Sequence, residues 1–336
     1  MEGNSSQGIF SIFFNKYAIH TTCILGIGII LCVRRYFQGA RCLSKVTLNG
    51  KTVVITGANS GVGKATAVEL AKRGATLVLG CREVEKSQEA LKEIKIQSGS
   101  NRIYMKKLDL SILTSVYEFS KEILNEFPEI HILVNNAAVM CPKEITVDRF
   151  DKQWSVNYLG HFLLTNLLLE RLKASSPARI INLGSMIYAD RLDFDDLMQD
   201  TDYDSMRAYQ HTKLANCLFT THLSSLLRDS DVTVNTVSPG IVWTQLGRHR
   251  VKEYSILMKA LFWCVCNMVL KSPWYGAQTV VYCCVASEIE GVSGQMFREC
   301  KLMSLKPHAQ DAIAADKLWK ISSEQANLQT ILNEIQ

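Results

Sequence analysis

The stretch from Lys51 to Arg73 constrains this chain more than any other. It reads Lys-Thr-Val-Val-Ile-Thr-Gly-Ala-Asn-Ser-Gly-Val-Gly-Lys-Ala-Thr-Ala-Val-Glu-Leu-Ala-Lys-Arg. Thr52 to Ile55 is a short β-branched run, as expected of a parallel strand buried on both faces. Gly57, Gly61 and Gly63 follow, and Lys64 to Arg73 then sets Ala67, Leu70 and Ala71 at helical spacing. A strand, a glycine-rich turn and a helix N-terminus together make a phosphate site. Glycines let the backbone approach a pyrophosphate, and the free N–H groups and dipole of the helix favour its charge. The spacing is Gly-x-x-x-Gly-x-Gly, with Thr56 in front, and not the Gly-x-Gly-x-x-Gly of many dehydrogenases. No Gly-Lys-Ser/Thr closes it, so it is not a Walker loop.

The same alternation continues downstream. Strands are expected at Thr76–Gly80, Ile103–Lys107, Ile130–Val134, Arg179–Leu183 and Val232–Val237, with a last one at Gln295–Phe297. Helices are expected at Glu85–Gln97, Leu113–Glu126, Asp148–Lys173 and Arg207–Arg228. Such alternation implies an α/β fold, a doubly wound parallel sheet with right-handed crossovers. The chain's 336 residues suffice for one large domain, and no repeat or linker splits off a second.

The formal charge of +5 has a location. Lys16, Arg34, Arg35, Arg41, Lys45 and Lys51 against Glu2 account for all of it, and the remainder is neutral. No basic face is left to suggest nucleic acid. Ala18 to Val33 is almost wholly apolar, extended by Ile9–Phe14 and Tyr36-Phe37, and Arg34-Arg35 end it sharply. The basic flank follows the segment, which places the C-terminal side in the cytosol by the positive-inside rule. A cleaved signal peptide needs a basic n-region and a small-residue cleavage site, and neither is clear. We therefore expect an N-terminal membrane anchor with its basic flank over residues 1–45 and one catalytic domain over 46–336. Eleven cysteines, an odd number without metal-ligand spacing, suggest reduced thiols and no metal centre.

Two further patterns carry chemistry. A dinucleotide fold that prefers NAD usually puts an acid after the second strand to bind the ribose hydroxyls. Cys81-Arg82 stands there instead, with Lys64 beside the glycine turn, and two cations suit the 2′-phosphate of NADP. Tyr209 and Lys213 share one face of the Arg207–Arg228 helix. An ammonium near a phenol favours phenolate, so the tyrosine pKa is expected to fall toward neutrality. Ser185 follows the fifth strand, at the carboxyl edge where open sheets bind ligands.

Read in order, Thr56-Gly-Ala-Asn-Ser-Gly-Val-Gly63, Asn135-Asn-Ala-Ala138, Asn157, Ser185, Tyr209-x-x-x-Lys213 and Pro239-Gly240 resemble the short-chain dehydrogenase/reductase family. The resemblance covers about residues 48–300. Cys81-Arg82, Val139-Met-Cys-Pro142, Val156-Asn-Tyr-Leu-Gly-His-Phe-Leu-Leu-Thr165 and Lys213-Leu-Ala-Asn216 narrow it to something similar to the membrane-anchored, NADP-preferring retinol dehydrogenase branch. It implies a Rossmann fold with Tyr209 as acid/base, Lys213 on the nicotinamide ribose, Ser185 orienting the substrate carbonyl and Asn157 supporting a water relay. It also implies cofactor contacts from Gly57, Asn59, Ser60, Gly61, Val62, Gly63, Arg82, Asp109, Leu110, Asn136, Ala137, Pro239, Gly240, Val242 and Thr244, besides Tyr209 and Lys213. Two positions depart from the family pattern. Ala138 stands where glycine is usual, and Gly184 where a serine is frequent, which is expected to loosen the local hydrogen bonding.

Tyr254 to Leu270 is strongly apolar, with Lys259 and Asn267, and residues 243–271 are expected to lie over the active site as an apolar lid, whose helix either dips into the membrane interface or simply packs on the domain. The sum is an NADP-dependent enzyme interconverting a lipophilic alcohol, of the retinol kind, and its aldehyde or ketone. The resemblance sets it in the endoplasmic reticulum membrane, facing the cytosol. A steroid or lipid-aldehyde reductase is the alternative within the class. A non-catalytic NADP-binding scaffold is the alternative outside it, with Ala138 its only support.

Overall fold

Parallel strands β1 (Thr52–Thr56), β2 (Thr76–Cys81), β3 (Ile103–Lys107), β4 (Ile132–Asn135), β5 (Ala178–Leu183), β6 (Val232–Ser238) and β7 (Met296–Arg298) form one sheet with an antiparallel edge strand, β8 (Lys301–Met303). The order is β3-β2-β1-β4-β5-β6-β7-β8. β1 is buried along its whole length, as its β-branched sequence anticipates for a strand covered on both faces. Its neighbours β2 and β4 leave it in opposite directions of the chain order, so the switch point where such sheets bind ligands lies at the end of β1. This is a computed structural model, and it describes Thr21, Leu25, Gly26, residues 28–242, Cys266 and residues 268–335.

Helices α1 (Gly61–Lys72), α2 (Val84–Ser98) and α7 (Pro273–Val285) cover one face, packing Leu70, Ile94, Val280 and Val281 against the sheet. α3 (Leu113–Glu126), α5 (Gly160–Ala174) and α6 (Ser205–Leu226) cover the other with Phe119, Phe162, Leu168 and Phe219. α8 (Ala312–Gln325) and α9 (Leu328–Ile335) close that second layer, and Trp319 of α8 stacks on Phe219 and meets Phe162 edge-on.

The expected helix at Asp148–Lys173 starts later and is not uniform. α4 (Lys152–Trp154) leads into a π turn (Ser155–Leu159) and then α5. Arg149 has φ 65°, which breaks a helix there, and Asp151 caps α4 by accepting from the Gln153 and Trp154 N–H groups. Asp148 instead accepts from Leu113 N at the start of α3, 2.8 Å away. α7, α8 and α9 were not anticipated. α7 is rich in β-branched and small residues and has little polar face, so its sequence lacks the usual amphipathic signature.

Among the described residues no helix is long and apolar enough to cross a membrane. Residues 1–20 and 243–265, which hold most of the expected anchor and lid, lie outside the described residues. The helical residues before Gln38 expose Ile29, Ile30, Leu31, Val33, Tyr36 and Phe37. The chain then docks on the domain. Buried Gln38 donates to Leu270 O at 3.2 Å and accepts from Ser272 N at 2.9 Å. Ala40 N donates to Glu299 Oε2 at 2.7 Å, and Cys42 N to Gln278 Oε1 at 3.0 Å.

Candidate active site

The glycine turn is built by close approach. Gly57 has φ +64°, and a Cβ there would sit 2.9 Å from the Ala137 backbone. A Cβ on Gly63 would fall 2.4 Å from both Asn136 Nδ2 and Gly57 O. Only glycine fits either position. Asn136 ties the turn down, its Nδ2 donating to Thr56 O at 2.8 Å and Gly57 O at 3.1 Å. Asn59 is exposed, Ser60 and Gly61 half-buried, and Val62 buried. Ser60 precedes α1 without capping it through its side chain, so the helix presents N–H groups to the edge of the sheet. These residues fit a pyrophosphate: a side-chain-free cradle and an uncapped positive helix end.

The other expected contacts line the same carboxyl edge. Asp109 follows β3 and accepts from Ser111 N and Oγ at 2.9 and 2.6 Å. Leu110 is buried, and its carbonyl accepts from Ser155 Oγ at 3.1 Å. Asn136 and Ala137 follow β4. Pro239 and Gly240 follow β6, Gly240 with φ +80°, and Val242 bridges to Lys271. Thr244 lies outside the described residues. Both cations expected near a 2′-phosphate are paired with acids: Lys64 with Glu93, and Arg82 with Glu83 at 3.2 Å. The second pair is half-exposed on both sides, a class of contact worth only about 0–1 kcal/mol.

Tyr209, Lys213, Ser185 and Asn157 converge between β5 and α6. Ser185 lies close enough to the Tyr209 phenol to pull its pKa down, against the larger effect of burial. Ser185 Oγ accepts from Ile187 N at 3.0 Å. Lys213 is buried, its Nζ donates to Leu183 O at 2.8 Å, and it sits 5.3 Å from the Tyr209 ring centroid. Asn157 lies in the π turn, with Oδ1 accepting from Val139 N at 2.7 Å and Nδ2 donating to Val139 O at 2.9 Å. One electrostatic expectation is corrected. Burial raises the Tyr209 pKa to about 12, against a smaller lowering by Ser185, and burial lowers that of Lys213 to about 8, so the phenol keeps its proton at neutral pH. A protonated phenol next to a serine hydroxyl and a buried cation can deliver a proton to a carbonyl oxygen.

Three contributors carry no signal in the spacing of the chain. Thr56 Oγ1 accepts from Asn136 N at 2.9 Å and Ala137 N at 3.0 Å, and pairs with His161 Nε2 at 2.8 Å. Asn216 Nδ2 donates to Asn157 O at 3.0 Å. His161 and Asn216 stand inside stretches singled out for their resemblance, yet nothing in the sequence assigns them a partner. The two departures also acquire a setting. Ala138 has no left-handed backbone, so its methyl group is carried without strain. A Cβ on Gly184 would meet the Thr236 methyl at 2.4 Å, so a serine is excluded there by packing.

A doubly wound sheet with a glycine cradle at its switch point, and a Tyr–Lys pair with serine at the next edge, defines a nicotinamide-dependent oxidoreductase. The chain belongs to the short chain dehydrogenase family, which it matches over residues 51–255. Within that family it falls in the retinol dehydrogenase branch, among oxidoreductases that act on CH–OH groups with NAD or NADP. It is 45% identical over 309 residues to retinol dehydrogenase 13 of Mus musculus, covering 90% of this chain and 91% of the relative. It is 43% identical over 294 residues to retinol dehydrogenase 12 of Homo sapiens, covering 87% and 91%. A solved structure of an uncharacterized protein from Mycobacterium paratuberculosis aligns at TM-score 0.68 and 29% identity, covering 86% of this chain and 98% of that one. A dehydrogenase/reductase from Sinorhizobium meliloti shares the fold at TM-score 0.58 and 24% identity, covering 75% and 94%.

Proposed function

We propose that this protein is a membrane-anchored, NADP(H)-dependent enzyme that interconverts a retinoid-like lipophilic alcohol and its carbonyl. The observation that carries the chemistry is the Tyr209 phenol beside Ser185, with the buried Lys213 ammonium 5.3 Å from its ring centroid. When bound, the nicotinamide cofactor supplies or accepts the hydride. Ser185 orients the substrate oxygen, Tyr209 gives or takes its proton, Lys213 holds the nicotinamide ribose, and Asn157 fixes the turn behind them.

The cofactor preference rests on Cys81-Arg82 at the end of β2 and on Lys64, whose glutamate partners a 2′-phosphate would displace. The lipophilic substrate rests on the apolar sequence of residues 243–271 and on relatives named retinol dehydrogenase. The anchor rests on Ala18–Val33, closed by Arg34-Arg35, and the charge asymmetry points the catalytic domain to the cytosol, while the endoplasmic reticulum rests on the family resemblance alone. The test is to incubate purified enzyme with NADPH and aldehydes of rising chain length up to all-trans-retinal. Burying apolar surface is worth about 25 cal/mol per Å², so kcat/KM is expected to rise steeply along the series. A flat profile, or preference for sugars or hydroxy acids, would overturn the lipophilic reading and leave the proton chemistry standing.

A further inference from the structure

We infer that His161 is a positioning residue: a neutral Nδ1–H imidazole that locks the cofactor-binding turn after β1 to the Asn157 π turn. This rests on the functional reading above. The argument begins at Thr56. Its Oγ1 accepts from two backbone donors, Asn136 N at 2.9 Å and Ala137 N at 3.0 Å. A hydroxyl has two acceptor sites and one proton. Both acceptor sites are taken, so the contact to His161 Nε2 at 2.8 Å is made with the threonine proton. Nε2 therefore accepts, and the ring proton sits on Nδ1.

Nδ1 faces Asn157 O at 3.5 Å, which is the polarity that atom needs, since a carbonyl can only accept. The opposite tautomer would fail at both ends. It would press a third donor on Thr56 Oγ1, leave the threonine proton without an acceptor, and turn a nitrogen lone pair toward a carbonyl oxygen. The charged form is excluded as well. His161 is buried, and burial together with the Lys213 ammonium pushes its pKa down to about 3.

The base of the side chain is held too. A Cβ on Gly160 would fall 2.6 Å from Leu110 O, so glycine lets this turn press on the loop after β3 and sets where the imidazole starts. Asn157 O is shared with Asn216 Nδ2 of α6 at 3.0 Å. A line of hydrogen bonds thus runs from the glycine turn through His161 and Asn157 to the helix that bears Tyr209 and Lys213. Its ends adjoin cofactor-binding and proton-handling residues, and the His161 ring between them bonds to Thr56 and to the Asn157 backbone.

The two ends can be separated by substitution in the full-length, detergent-purified protein. In His161→Gln the side-chain oxygen reaches the Nε2 position and accepts from Thr56, while the bond to Asn157 is lost. In His161→Asn the amide NH₂ reaches the Nδ1 position and donates to Asn157, while Thr56 is left unpaired. His161→Leu removes both. We would measure the NADPH Kd by tryptophan fluorescence without substrate, kcat with all-trans-retinal, and Tm. His161→Leu is expected to weaken NADPH binding and lower kcat, each about tenfold. His161→Gln should restore Kd but not kcat, and His161→Asn the reverse. Parallel loss in Gln and Asn, or a fall in Tm with Kd and kcat unchanged, would overturn the proposal. Should the leucine variant not fold, the Gln/Asn split decides alone. Should the wild type bind NADPH yet reduce no carbonyl, the functional reading fails, and the Kd difference between Gln and Asn still decides the role of His161.

Discussion

Tyr209 holds its proton because its surroundings are dry. The ammonium of Lys213 lies near the ring, but it too is buried and spends one donor on Leu183 O. Removing the phenol hydroxyl in Tyr209→Phe should therefore lower turnover by roughly 10²–10⁴-fold, the usual span of general acid catalysis, while the NADPH Kd stays unchanged. Unchanged kcat would discard the proton assignment. Arg82 yields a second outcome at this scale. A charge-assisted bond to a 2′-phosphate is stronger than its half-exposed contact with Glu83. Arg82→Asp should narrow or reverse the preference for NADPH, read as the ratio of kcat/KM for the two cofactors. Equal ratios in the wild type would contradict the NADP assignment. The proximity of Tyr209 and Lys213 was legible in the chain because their spacing is local: four positions on one helix bring them together. Thr56, His161 and Asn216 were not. Their meaning lies in bonds between segments far apart in sequence, and a threonine or histidine in an apolar run looks like filler until its partner is placed.

At the scale of elements, the seven parallel strands and the first helices follow from the sequence pattern, whereas the antiparallel edge strand β8 was not anticipated. Ile103–Lys107 and Leu113–Glu126 fall where periodicity sets them. The start of the Asn157 helix was displaced because two aspartates compete for the role of cap, and only tertiary contact directs Asp148 to α3. α8 was missed because it is a covering layer whose apolar side makes sense only against α5 and α6. Its polar link to them is open to measurement. Tyr158 is fully buried, and its hydroxyl bonds to Ser322 Oγ at 2.7 Å, while Ser322 Oγ bonds to Leu318 O at 2.7 Å. Ser322→Ala would strand the Tyr158 hydroxyl, at about 1–3 kcal/mol. A urea titration should show that loss, and adding Tyr158→Phe should recover much of it, since the two side chains form one unit. Independent, additive losses would show that the Tyr158–Ser322 bond does not act as one unit in holding α8.

For the whole molecule, charge and apolarity are concentrated at one end. Residues 1–51 account for the whole net charge of +5, beside a long apolar run. With an N-terminal anchor and a cytosolic domain, protease added to intact microsomes should digest the domain, and alkaline carbonate should not release the anchored fragment. A fully protected domain would reverse the orientation. The docking of residues 38–42 bears on a different matter, the making of a detergent-free enzyme. The polarity of the chain invites a cut near residue 45, where the apolar segment has given way. Such a cut would remove the amide that pairs with Leu270 O and Ser272 N, and the backbone donors to Glu299 and Gln278. A shortened protein beginning just before Gln38 should therefore melt at a higher temperature than one beginning at residue 46. What looks like a disposable leash is, over its last few residues, part of the enzyme's own wall.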